Sequence, residues 1–188
     1  MKEKTFFDLV SQVIQKADVS AILIGGFAVN HYGVMRQTQD VDFLMVEEAY
    51  DKVQPLFEKA GCGEVIRNNL FARLENKKWL PSELDIVFVN PETFEGILEE
   101  SETAEIQGRK FKVPSLDHLL ALKLHAMKQN LRRRGFRDIT DVLDLARENR
   151  IDVKGKKFGE LCLKYAGKEV YRIVQELLKN EEPKITRF

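Results

Sequence analysis

Long apolar runs are absent from this 188-residue chain, as are most of the side chains that build disulfide or zinc frameworks. No apolar stretch reaches the roughly 20 residues that a membrane span needs. The two cysteines, Cys62 and Cys162, fit neither a metal-ligand spacing nor a disulfide framework, so reduced thiols are expected. His31, His118 and His125 share no ligand spacing, which argues against a histidine-based metal centre or catalytic histidine. Charge of one sign is missing too. Thirty basic residues balance thirty acidic ones, so any polyanionic partner must be met by a local patch rather than a global field. The first residues, Met1 to Thr5, lead into an amphipathic segment with no apolar signal core or small-residue cleavage site. There is no internal repeat, low-complexity stretch or heptad seam. A cytoplasmic protein with no membrane association is the expectation.

An apolar content of 44% and a charged content of 32% describe an ordinary globular chain, long enough for one good core with a smaller helical appendage. Phe6, Leu9, Val10, Val13 and Ile14 recur at helical spacing and predict a helix over 6–17. Ala21 to Ile24 reads as a short buried strand, followed by a helical turn from Phe27 to Tyr32 and by Gly33. A second strand is expected over 40–46, a helix over 48–60 and one strand within 65–74, with a bend at Asn68-Asn69. Residues 84–89 are rich in β-formers and end at Asn90-Pro91, and 104–113 predicts a hairpin around Gln107-Gly108. After Pro114 the pattern is helical only, over 116–130, 139–148, 156–165 and 168–178. The fold class is therefore α/β (α+β): a small mixed sheet flanked by helices over 1–113, then a C-terminal helical domain over 114–188.

The chemistry concentrates at two places in the first half. Ile22-Leu23-Ile24 runs into Gly25-Gly26, and a strand then opens with Asp40-Val41-Asp42. Residues i and i+2 of a strand project to one side, so Asp40 and Asp42 form a pair of hard oxygen donors suited to divalent cations. Asp85 sits inside the apolar run Leu84-Asp85-Ile86-Val87, where a buried charge is costly unless paired or metal-bound; it is the candidate third carboxylate. Against this stands a plainer reading in which Asp40 caps a turn, Asp42 meets an arginine and Asp85 lies on an exposed edge. Gly25 and Gly26 suit either a tight turn or the close approach of phosphates to a helix start. Arg36 and Thr38 precede the aspartate strand in a loop, where Arg36 could grip a phosphate or be an ordinary loop residue. Trp79, Phe71 and Tyr32 could stack on a base, though lone aromatics more often serve the core or its rim.

The helical half carries a second cluster. Lys123 lies among Leu119, Leu120, Leu122 and Leu124, either snorkelling to solvent or reaching toward a phosphate. Arg132-Arg133-Arg134 precedes Arg137-Asp138-Ile139-Thr140-Asp141, in which Asp138 could cap a helix and Asp141 could pair with a basic neighbour. The basic run fits RNA phosphates or a solvated loop.

Gly25-Gly26, Arg36, Asp40-x-Asp42 and a later strand aspartate together resemble the DNA polymerase β-type nucleotidyltransferase superfamily. The tail, Val113-Pro114-Ser115-Leu116-Asp117-His118-Leu119-Leu120-Ala121-Leu122-Lys123-Leu124 followed by Arg137-Asp138-Ile139-Thr140-Asp141, resembles the AbiEii-type toxins and related small nucleotidyltransferases. The resemblance spans residues 20 to 150. It implies a nucleotidyltransferase-type fold with its site in a cleft between the two halves. It also implies transfer of a nucleoside monophosphate from an NTP to an acceptor hydroxyl, with pyrophosphate released. Two magnesium ions would be held by Asp40, Asp42 and Asp85, with Asp85 helping to activate the acceptor. Gly25, Gly26, Arg36 and Thr38 would receive the nucleotide, Lys123 would contact its triphosphate, and Asp138 would support the site. Transfer RNA or another RNA is the acceptor this branch implies, and an antitoxin protein its partner. The alternatives are a nucleotide- or RNA-binding member of the fold without turnover, and an enzyme that modifies an antibiotic hydroxyl. Phe27 stands where many superfamily members have serine, and Arg137 where many toxins have lysine.

Overall fold

The structure, a computed structural model, describes residues 5–80, 83–130 and 135–180. In chain order the elements are α1 (Phe6–Ala17), β1 (Ile22–Ile24), α2 (Gly25–His31), β2 (Asp40–Met45), α3 (Glu47–Lys59), β3 (Cys62–Arg67), β4 (Phe71–Asn76), β5 (Glu83–Phe88), α4 (Pro91–Glu99), β6 (Glu102–Ile106) and β7 (Arg109–Val113). Four helices follow: α5 (Leu116–Asn130), α6 (Gly135–Glu148), α7 (Lys156–Tyr165) and α8 (Gly167–Asn180). They form two compact units, Met1–His31 with Met35–Ser115, and Tyr32–Val34 with Leu116–Phe188. Among the described residues no helix is long and apolar enough to cross a membrane.

The first unit is built on a seven-stranded mixed sheet in the order β3-β4-β5-β2-β1-β7-β6. β2 runs parallel to β5 and antiparallel to β1, and β1 runs parallel to β7. Alternation sorts the two faces. Val41, Phe43 and Met45 of β2, Ala72 and Leu74 of β4, and Leu84 and Ile86 of β5 are buried. Asp40 and Asp42, Arg73, and Glu83 and Asp85 occupy the intervening positions of the same strands. The core gathers aromatic rings: Phe7 of α1 meets Phe27 edge-on at 4.9 Å and Phe111 at 5.6 Å, and Phe111 meets Phe43 at 5.7 Å. Phe7 and Phe43, fully buried, each stabilise the fold by roughly 1.5–3 kcal/mol. Phe27 thus joins α2 to α1.

Helix α1 forms where its apolar spacing predicts. Thr5 and Asp8 close a capping box at its start, and Asp18, in the left-handed region at φ 52°, ends it. The hairpin between β6 and β7 turns through Gln107 and Gly108, at φ 50° and 77°, the pair of left-handed residues that a two-residue turn requires.

Three elements differ from expectation. The single strand expected within 65–74 is two antiparallel strands, β3 and β4. Asn68 Oδ1 accepts the backbone N–H groups of Leu70 at 2.8 Å and Phe71 at 3.0 Å, turning the anticipated bend into a full reversal. Asn90-Pro91 does more than end β5: Asn90 caps α4 by accepting Thr93 N–H at 2.8 Å, and Pro91 occupies its first turn. Helix α6 begins at Gly135 rather than Ile139, which puts Asp138 inside its first turn instead of at its cap.

In the second unit α5 packs on α6, α7 and α8. Leu119, Leu120, Leu124 and Met127 are buried there, with Val142, Leu145, Phe158, Cys162, Val170 and Val174. Tyr32–Val34 completes this unit: Asn149 Nδ2 donates to the carbonyls of Tyr32 at 3.1 Å and Leu145 at 3.0 Å. A Cβ at Gly33, whose φ is +87°, would lie 2.9 Å from Glu148 Cγ.

Candidate active site

The buried strand β1 stops where Gly25 takes φ +63° and turns the chain straight into α2. Glycine is needed twice over here. An L-residue is strained at this φ, and a Cβ on Gly25 would lie 1.9 Å from Asp42 Oδ2. A Cβ on Gly26 would come within 2.6 Å of Arg36 Nη2 and of both Thr38 Cβ and Oγ1. The glycine pair is therefore space left for Asp42, Arg36 and Thr38, as well as a turn.

Strand register assembles the acids. Asp42 lies opposite Ile24 on one side and Asp85 on the other, while Asp40 lies opposite Glu83. Because cross-strand partners share a face, Asp40, Asp42, Glu83 and Asp85 fall on one strip. The loop before β2 is tied down locally. Asn30 Oδ1 accepts the Arg36 N–H at 3.3 Å and Asn30 Nδ2 donates to the Arg36 carbonyl at 3.1 Å. The Thr38 hydroxyl is 3.1 Å from the Asp40 carbonyl and 3.0 Å from its Oδ1, its one proton shared between the two acceptors.

Sequence reasoning missed Arg73. It stands opposite Asp85 on β4, and its fork closes on that carboxylate, with Nε to Oδ1 and Nη2 to Oδ2 both at 2.7 Å. Its Nη1 reaches Glu83 Oε2 at 3.1 Å. The hydrogen bonds to Asp85 hold the Arg73 guanidinium above its ordinary pKa. The only sequence signal was an arginine alternating with the apolar Ala72 and Leu74, and that is visible only once β4 is read as a strand of its own.

The donors present partly fit a divalent metal. Asp40 and Asp42 supply hard oxygens on one side of a strand, with Gly25 trimmed to admit the Asp42 carboxylate. Asp85 fits less well, since each of its oxygens already accepts a hydrogen bond from the Arg73 cation. Among the described residues no group of three His, Cys, Asp or Glu is placed to hold an ion.

In the helical unit Lys123 of α5 does not snorkel. Its Nζ lies 3.0 Å from Asp138 Oδ1 and 2.7 Å from Asp141 Oδ2, and all three side chains are largely buried. Arg137 is exposed, and Arg132-Arg133-Arg134 lies outside the described residues. Of the aromatic candidates for base stacking, Trp79 carries Lys78 Nζ 4.6 Å from its ring centroid, Phe71 begins β4, and Tyr32 belongs to the helical unit.

A family profile described as "Nucleotidyl transferase AbiEii toxin, Type IV TA system" matches residues 9–185. No curated protein matches significantly. Among solved structures, the chain is similar to the antibiotic-resistance factor ANT(2'')-Ia, at 13% identity and a TM-score of 0.61, with 93% of each chain covered. It is also similar to the lincosamide antibiotic adenylyltransferase LnuA, solved with lincomycin bound, at 18% identity and a TM-score of 0.53 over 77% of this chain and 96% of that one. A third is a nucleotidyltransferase-like antigen from Paracoccidioides brasiliensis, at 15% identity and a TM-score of 0.51 over 84% and 89%.

Proposed function

The chain belongs to the AbiEii family of nucleotidyltransferase toxins, and from that premise we propose a magnesium-dependent enzyme that moves an NMP from an NTP onto an acceptor hydroxyl, with tRNA as the acceptor. The observation that carries this reading is the packing of the Asp42 carboxylate against Gly25, at the point where β1 turns into α2. On this reading the carboxylate that binds metal and the turn that accepts phosphate occupy one place in the fold.

In the reaction the acceptor oxygen bonds to the α-phosphorus, the bond from that phosphorus to the bridging oxygen breaks, and pyrophosphate leaves. Magnesium, held by Asp40 and Asp42, would neutralise phosphate charge and favour ionisation of the acceptor. Thr38 fixes Asp40 through its hydroxyl. Arg36, held through its backbone by Asn30, offers its fork to phosphate beside Gly26. Asp85 can accept the acceptor's proton only when Arg73 releases it. Lys123, as a triphosphate contact, and Asp138, as its holder, enter the proposal through the family likeness. RNA is favoured as acceptor over a small molecule by Arg132-Arg133-Arg134, because polyanion binding needs local positive charge. A cognate antitoxin protein and a cytoplasmic setting complete the reading.

The test is transfer of label from each α-labelled NTP to a total tRNA pool with magnesium, using Asp42→Ala as control. Label on tRNA that disappears in the variant is the expected result. Pyrophosphate release only with small-molecule hydroxyls would replace the acceptor, and magnesium-dependent NTP binding without release would leave a binding module.

A further inference from the structure

The resting site holds a cation of its own. Four carboxylates, Asp40, Asp42, Glu83 and Asp85, occupy neighbouring positions of β2 and β5, and the Arg73 guanidinium is bonded to two of them. Asp85 is 6% exposed, and each of its oxygens accepts a hydrogen bond from the arginine fork, so a metal approaching this carboxylate meets the guanidinium charge and must displace or share it. Glu83 differs: its side chain is 40% exposed and holds a separate nitrogen, Nη1. Arg73 therefore keeps one ionic partner if it lets go of the other.

The geometry points to Arg73 as a positioning residue that competes with the divalent cation for the Asp85 carboxylate, so that the protein at rest offers the two-carboxylate site Asp40–Asp42 and gains a third ligand only when Arg73 shifts onto Glu83. This rests on the metal reading proposed above and adds a determinant of its affinity. Asp85 would be neither a permanent ligand nor a standing base. It is held in reserve, and the strength of the Arg73 fork sets the cation concentration at which it joins.

Manganese binding to the full-length protein, followed by the loss of the free-ion paramagnetic resonance signal, tests this without reference to turnover. Arg73→Met should tighten Mn2+ binding by about tenfold or more, because a nearby positive charge disappears and a ligand is freed. Arg73→Lys keeps the charge but loses the fork, and should tighten binding by about threefold. Thermal melting of each variant identifies any that fails to fold, and Arg73→Lys keeps the test available if Arg73→Met does. Two double variants separate ligand from charge, since each removes one carboxylate charge from the same strip. Arg73→Met with Asp85→Asn should return to wild-type affinity, while Arg73→Met with Glu83→Gln should keep most of the gain. Unchanged affinity in both single variants, or equal loss in both double variants, overturns the inference. The parent reading has its own arm: if Asp42→Ala binds Mn2+ as the wild type does, metal binding at this strip falls altogether.

Discussion

A methyl group added at Gly25 would land 1.9 Å from Asp42 Oδ2, whereas one added at Gly61 would meet no heavy atom within 4 Å. Both glycines have positive φ, +63° and +90°, so alanine at either incurs a backbone strain of about 1–2 kcal/mol. Only the first also displaces the Asp42 carboxylate, the metal ligand proposed above. Gly25→Ala is expected to lower the transfer rate at least about 100-fold, the scale of a misplaced reacting group. Gly61→Ala should lower melting temperature while leaving the rate intact; equal rates in the two variants would show that the Asp42 contact is dispensable. The thiols give a pH prediction. Burial raises Cys62 from 9.0 to about 11 and Cys162 from 9.0 to about 12. The folded state resists losing these protons, so their stabilising contribution is complete below pH 9 and is lost as pH rises through 11 and 12. Melting temperature should fall across that alkaline window, and Cys62→Ala with Cys162→Ala should flatten the fall.

Among the elements, α5 and α6 are joined by the buried Lys123–Asp138–Asp141 cluster. Lys123→Met removes the cation shared by two buried carboxylates and should destabilise the protein by about 3–5 kcal/mol in urea unfolding. Adding Asp138→Asn and Asp141→Asn should recover part of that loss; no recovery would mean that Lys123 contributes through packing instead. This cluster also shows where sequence reading stops. Helices α1, α5 and α7 were legible to the residue, because the apolar period, caps and breakers that define them are local. Gly25-Gly26 and Asp40-x-Asp42 were legible because strand alternation alone puts the two aspartates together. Arg73 was not, since its pairing with Asp85 depends on β4 and β5 lying in register, a property of two segments that neither segment records. The start of α6 was expected at Ile139, where the apolar period becomes clear; the helix starts at Gly135, so the cap offered as one reading of Asp138 gives way to a place in the first turn.

At the scale of the molecule, the chain passes between its two units after His31, after Val34 and after Ser115. The helical unit is thus incomplete if taken as residues 116–188 alone. It would lack the Tyr32 carbonyl that receives Asn149 and the Gly33 backbone packed on Glu148. A fragment of those residues should unfold at lower urea than the same helices in the full chain, read by circular dichroism; an equal midpoint would show that the three-residue strap contributes nothing. The strap also constrains descent. A single genetic crossover at 115 would transplant the helices and leave Tyr32–Val34 behind, in a copy shaped for another lineage's α6. Gly33 and Glu148, far apart in the gene but touching in the protein, would have to change hands together. Shuffling of the helical half among relatives would then need two breakpoints around a nine-base segment as well as the one at 115.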